Sequence, residues 1–180
     1  MSRIGREPVK VPAGVTIKAE NGLLTVTGPK GTLTQEYDAA NISFNVDGAV
    51  ANVVRANDEP EVRAKHGLYR ALLNNMVVGV TNGYSKTLIV NGVGWKVAKQ
   101  GNKVVLNVGF SHPVEIFETA DVKLECPSIT EIVVSGINKE KVGQYAATVR
   151  SIRKPEPYHG YGIAYKGEVI ERKEGKTAGK

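Results

Sequence analysis

Along the chain the apolar positions switch between two spacings, and each switch marks a change of element. Val9-x-Val11 and Val15-x-Ile17 alternate with polar neighbours, as one face of a half-buried strand does. Asn21-Gly22 follows, a hairpin signal because both residue types tolerate positive φ. Leu24-x-Val26, a turn at Gly28-Pro29-Lys30-Gly31, Thr32 to Tyr37, Ile42-x-Phe44-x-Val46, a turn at Asp47-Gly48 and Val50 to Val54 continue the pattern. Short strands this closely spaced predict an antiparallel sheet.

From Asp58 the spacing becomes helical. Asp58-Glu59-Pro60-Glu61 reads as a helix start, with Asp58 as cap, proline in the first turn and Glu61 reaching back. Val62, Tyr69, Leu73, Met76 and Val80 share one face, with His66 on the same stripe as a hydrogen-bonded, partly buried side chain. Gly79 and Asn82-Gly83 predict the helix end. Strands resume at Thr87 to Val90 and Gly92 to Val97. They continue in Val104-x-Leu106-x-Val108, Val114-x-Ile116, Val122-x-Leu124 and Ile132 to Val134. A second helix starts after Asn138 with Val142, Tyr145, Val149 and Ile152 as its stripe, and Pro155 ends it.

The second half repeats the first at an offset of 80 residues: Val53-Val54 matches Val133-Val134, Val62 matches Val142, Arg70 matches Arg150 and Leu72 matches Ile152. The predicted fold is therefore α+β. It has two tandem duplicated domains, 1–82 and 83–180, each a mainly antiparallel sheet packed against one amphipathic helix. An extended basic tail follows from about residue 155.

Charge changes the picture at that tail. The chain carries +6 overall, but residues 1–149 hold 16 Lys and Arg against 14 Asp and Glu, whereas residues 150–180 hold 8 against 4. A basic end on a near-neutral body predicts an acidic partner. The tail has few aliphatic residues in phase and is expected to stay out of the core. Arg153, Lys154, Lys166, Arg172, Lys173 and Lys176 would neutralise phosphates. Tyr158, Tyr161 and Tyr165 offer ring faces, and Gly160 and Gly162 allow close backbone approach. Arg3 and Arg6 sit in a short polar N-terminal arm that can anchor similarly.

Catalytic chemistry has little to stand on. His66, His112 and His159 fall in a helix, a bend and the tail, and no pair has metal-ligand spacing. Gly175-Lys176-Thr177 imitates the end of a phosphate-binding loop, but position 170 is Ile where that loop needs Gly. The lone thiol, Cys126, lies in a strand-like apolar run and fits a reducing compartment. No apolar run approaches membrane-spanning length. No enzyme, metal or cofactor is expected, and neither a membrane nor a small-molecule substrate. Two other readings compete: an adaptor whose tail extends a partner's sheet, and a small hydrolase using His112 or Cys126.

Several motifs carry a resemblance. Ser2-Arg3-Ile4-Gly5-Arg6, with Pro8, Val9, Val11, Pro12, Gly14 and Val15, resembles the opening of ribosomal protein six of the bacterial large subunit. Arg70-Ala71-Leu72, Asn75-Met76-Val77 and Gly79-Val80 resemble that family's first helix. Gly92-Val93-Gly94-Trp95-Lys96 and Gly109-Phe110-Ser111-His112-Pro113-Val114 resemble its second domain. Arg153-Lys154-Pro155-Glu156-Pro157-Tyr158 and Lys173-Glu174-Gly175-Lys176 resemble its end. The family usually carries lysines where this chain has His159 and Tyr161, and a basic residue where it has Ala164. His159 and Tyr161 can stack on a base or sugar instead. The resemblance implies a cytoplasmic structural constituent of the large ribosomal subunit. It implies binding to 23S-class rRNA, mainly through the second domain and tail, at the stalk base. Neighbouring ribosomal proteins and elongation factors are the further partners it implies.

Overall fold

Each half of the chain builds two small antiparallel sheets and one amphipathic helix, in the same order, giving an α+β fold of two tandem duplicated domains. The computed structural model describes residues 3–176; positions 1–2 of the expected arm and 177–180 of the expected tail lie outside the described residues. Two compact units divide the chain: Met1–Tyr84 with Ile137–Lys139, and Ser85–Gly136 with Glu140–Lys180.

The first unit contains α1 (Arg3–Arg6), β1 (Val9–Lys10), β2 (Thr16–Glu20), β3 (Leu23–Gly28) and β4 (Gly31–Glu36). It continues with β5 (Ile42–Asp47), β6 (Val50–Arg55) and α2 (Pro60–Thr81). Its sheets run β1-β6-β5 and β2-β3-β4. Asn21 (φ 51°) and Gly22 (φ 76°) make the tight β2–β3 turn that their residue types favour. Along β3, Leu24 and Val26 alternate inward and meet Val62, Leu73, Met76, Val77 and Val80 of α2 in one core. His66 is buried on that stripe. Its Nε2 lies 2.9 Å from the Val53 carbonyl oxygen and its Nδ1 3.2 Å from Arg55 Nη1. Nε2–H therefore donates to the carbonyl while the guanidinium donates to Nδ1.

Three local expectations are corrected. The alternation from Val9 to Ile17 is two strands in different sheets, because Pro12 cannot donate to a ladder and Gly14 turns at φ 87°. The N-terminal segment is a short helix packed on α2, and Gly5 is buried where a Cβ would sit 2.4 Å from His66 Nδ1. The cap of α2 is Glu59, with no side-chain cap bond. Asp58 pairs with Arg55 instead, and Glu61 with Lys65 at 2.8 Å. The helix passes Gly79 and ends at Thr81 with Asn82 as cap and Gly83 (φ 78°) after it, where the Asn82-Gly83 signal predicts its end.

The second unit repeats the plan with β7 (Tyr84–Asn91), β8 (Lys96–Gln100), β9 (Lys103–Asn107), β10 (Val114–Phe117), β11 (Lys123–Ser128), β12 (Glu131–Gly136) and α3 (Lys139–Ile152). Its sheets run β8-β9-β10 and β7-β12-β11, the second extended beyond β7 by β13 (Gly162–Tyr165). Leu88, Leu106, Leu124, Ile132 and Val134 are fully buried, with Val142, Ala146 and Val149 of α3 buried as well.

The two copies differ at one sheet edge. In the first, Val11 N–H donates to the Ala49 carbonyl, so Val9 and Val11 face β6 while Pro8, Lys10 and Pro12 face outward. Two of those outward positions have no N–H, which blunts the edge against pairing. Arg70 finishes it by donating from Nε to the Glu7 carbonyl (3.0 Å) and from Nη2 to the Pro8 carbonyl (3.4 Å). In the second copy the edge is covered by β13, and Arg150, the offset partner of Arg70, grips Glu168 just beyond that strand.

Candidate nucleic-acid interface

The tail from about residue 155 is expected to stay out of the core, and the structure folds much of it onto the second unit. Ile163 N–H donates to the Arg153 carbonyl (2.8 Å), Glu156 N–H to the Tyr161 carbonyl (2.9 Å), Lys166 N–H to the Thr87 carbonyl (2.9 Å) and Lys173 N–H to the Pro157 carbonyl (2.7 Å). Ile163 is 0 % exposed. One aliphatic residue in a four-residue strand gives no period to read, so the sequence pattern misses it.

Gly160 and Gly162 also have a role within the chain. Gly160 and Gly162 are both buried. A Cβ on Gly162 would stand 2.4 Å from Pro155 Cα, and one on Gly160 would stand 3.4 Å from Arg172 Nε. The chain itself closely approaches Gly162, whereas Gly160 is distinguished by its positive φ of 75°.

What remains exposed is a loop of rings and charges. Tyr158 is 52 % and Tyr161 38 % exposed. The His159 ring stacks on Tyr161, with centroids 5.3 Å apart and planes at 12°. His159 Nδ1 lies 3.2 Å from Glu156 Oε1. Arg153 places its guanidinium over the Phe110 ring (5.1 Å to the centroid) and the Trp95 ring (5.8 Å), contacts worth about 0.5–2 kcal/mol each. Trp95 is seated on two glycines: a Cβ on Gly92 would lie 2.2 Å from its ring and one on Gly109 3.1 Å. Trp95, Arg153, Lys154, Glu156 and Tyr161 line an open cleft of about 430 Å³.

The fold thus gathers Arg153, Lys154, Tyr158, His159 and Tyr161, and hydrogen bonding ties the Arg172-Lys173 segment to the same loop. Lys166 lies at the far end of β13, 3.4 Å from the Glu131 carboxylate. Tyr165 is half-buried, with the Arg150 and Lys86 cations near its ring. Lys176 is exposed at the end of the described residues. Arg3 and Arg6 are exposed on α1 of the first unit. Trp95, Phe110 and Glu156 escaped the sequence reading of the site. Its one trace was the glycine beside each aromatic, at Gly94-Trp95 and Gly109-Phe110.

An ion pair clamps the end of this segment. Glu168 accepts from Arg150 Nε (3.0 Å), from Arg150 Nη2 and from the Tyr165 N–H (2.9 Å). The Arg150 guanidinium holds the carboxyl below its ordinary 4.5. Such a group adds stability that is whole above that ordinary value and is lost as pH falls through the lower folded one. Thermal melting of the wild type should therefore decline below about pH 4.5. Glu168→Gln should melt earlier at pH 7 and show a shallower acid decline; an acid decline as steep as wild type would count against the clamp.

Neither proposed hydrolytic residue is placed for chemistry. Burial pushes the Cys126 thiol up, away from the reactive thiolate. His112 is exposed beside Phe110 and Ser111, with no carboxylate to orient it among the contacts described. Among the described residues no helix is long and apolar enough to cross a membrane.

Comparison with known proteins settles the family. The sequence model of Ribosomal protein L6 matches residues 11–83 and again 91–166. The chain belongs to the ribosomal protein L6 family. The large ribosomal subunit protein uL6 of Carboxydothermus hydrogenoformans is 54% identical over 180 residues, covering 100% of this chain and 98% of that protein. Its counterpart in Exiguobacterium sibiricum is 54% identical over 177 residues, with 98% and 99% covered, and that of Listeria innocua is 51% identical over the same span. One L6 model fitting twice agrees with the duplication read from the 80-residue offset. The L6 family is structural rather than enzymatic, and this chain is not an enzyme.

Proposed function

We propose that this chain is a structural constituent of the large ribosomal subunit in the cytoplasm, and that it binds 23S-class rRNA through the loop and cations of its second unit. The observation that carries the reading is the ring-and-cation surface around Arg153. It is built on a chain that matches L6 relatives over its whole length. Rings with interleaved cations suit single-stranded or splayed RNA beside folded phosphate backbone. Lys154, Arg172, Lys173 and Lys176 supply phosphate contacts around it, with Lys166 at its margin and Arg3 and Arg6 as a separate anchor. Placement beside the stalk base, among other large-subunit proteins and near elongation factors, is what the family resemblance implies. Crosslinking in assembled subunits tests it.

The binding itself is tested by salt. Each phosphate neutralised adds about 0.7–0.9 to the slope of log affinity against log salt. The triple variant Lys154→Ala, Arg172→Ala, Lys173→Ala should flatten that slope by roughly two to three on an rRNA fragment. An unchanged slope would remove these residues from the interface. Co-sedimentation with large subunits checks the assembly itself, and absence from them would refute it.

A further inference from the structure

The cleft beside Arg153 has a feature that phosphate binding does not explain. Two of its five lining residues are cationic, Arg153 and Lys154, yet Glu156 lines it too. A carboxylate there repels the phosphates those cations attract. It is an acceptor only, so what it suits is a ligand with donors. The Glu156 N–H bond to the Tyr161 carbonyl closes the loop between them, so carboxylate and ring stand at the two ends of one short turn. His159 Nδ1 lies 3.2 Å from Glu156 Oε1 and holds that side chain beside the loop. Tyr161 and Trp95 line the same cleft, Tyr161 with one face already stacked on His159.

We propose that this cleft holds one unpaired guanine of the bound RNA, its base against the rings and its Watson–Crick edge on Glu156. The inference rests on the RNA-binding reading above and names the base that reading leaves open. Guanine alone among the four bases presents two adjacent N–H donors on that edge, at N1 and N2, which match the two oxygens of a carboxylate. Adenine and cytosine each set an acceptor beside their amino group, and uracil sets its imino group between two. Bases splayed from a strand are read in this way, by stacking and by edge hydrogen bonds.

Trp95 is the chain's one tryptophan, so its fluorescence reports directly on the cleft. The full chain is titrated with uridine pentanucleotides carrying guanosine, adenosine or uridine at the centre. The guanosine oligonucleotide should bind about 5-fold to 150-fold tighter and quench Trp95 most, the range over which a well-matched edge pair discriminates. Glu156→Gln should abolish the preference and, with one negative charge gone, slightly tighten the all-uridine strand. Tyr161→Leu should weaken all three alike. Equal affinities across the set, absence of quenching by any of them, or a preference that survives Glu156→Gln overturns the inference. If the rRNA fragment keeps its salt-dependent binding in that case, only the guanine assignment falls. If that binding is absent as well, the RNA-binding reading falls with it.

Discussion

Ile163→Ala is expected to destabilise the second unit by about 2–5 kcal/mol, the range for deleting a large aliphatic side chain from a packed core. The residue is 0 % exposed in β13, which pairs with β7 from Gly162↔Asn91 to Tyr165↔Leu88. Leu88 and Val90 on that partner are themselves buried. Removing the side chain forfeits its transfer energy and leaves a cavity that fixed strands fill poorly. If the C-terminal segment were a loose basic appendage, the same change would shift the denaturation midpoint by almost nothing. Urea unfolding followed by Trp95 fluorescence separates the two, because Trp95 lies in the second unit. A midpoint within error of wild type would mean that β13 contributes no core.

That contrast shows where sequence reading succeeds and where it stops. The long stripe of α2 and the alternation in β3 repeat one period over many residues, so each position supports the next. The Asn21-Gly22 turn is local chemistry with one good solution. β13 has neither advantage. It is four residues long, holds one branched aliphatic, and finds its partner more than seventy positions earlier in the chain. Its neighbours are Gly, Pro and Lys, which read as tail because nothing local says otherwise. The Asp58 cap failed for a related reason. The local motif was present, but Arg55 competes for the same carboxylate.

The candidate site divides along the same line. Its cations and tyrosines were legible because they cluster in sequence. Trp95 and Phe110 join them only through the fold, one before β8 and the other between β9 and β10, and both meet Arg153 just after α3. The offset arginines tell the same story. Arg70 and Arg150 look equivalent in sequence. One serves backbone carbonyls at a proline-blunted edge, while the other holds the carboxylate that follows an added strand. The duplication supplied a spare edge, and the second copy used it to carry the loop that bears the rings.

Gly162→Ala tests that dependence most severely. Gly162 sits at φ 154°, and the added Cβ would fall 2.4 Å from Pro155 Cα and 2.5 Å from Pro155 N. Both obstacles are backbone, so no side-chain rotation relieves them. Overpacking of this kind costs about 1–3 kcal/mol, and an unfavourable backbone conformation adds about 1–3 kcal/mol. The chain can lower that cost only by moving Pro155 away from Gly162, which pulls on the Ile163–Arg153 hydrogen bond and on the Glu156–Tyr161 bond that closes the loop. The expected result is a loss of roughly 2–6 kcal/mol in stability. At temperatures where the protein is still folded, RNA affinity should fall with it, and Trp95 fluorescence should shift as Arg153 leaves the rings. Ile163→Ala removes volume beneath the loop without forcing it, so it should lower stability while keeping more of the RNA affinity. Equal affinity losses in the two variants at matched stability would mean that the loop's geometry does not govern binding. A normal melting temperature for Gly162→Ala would mean that Pro155 does not restrict residue 162.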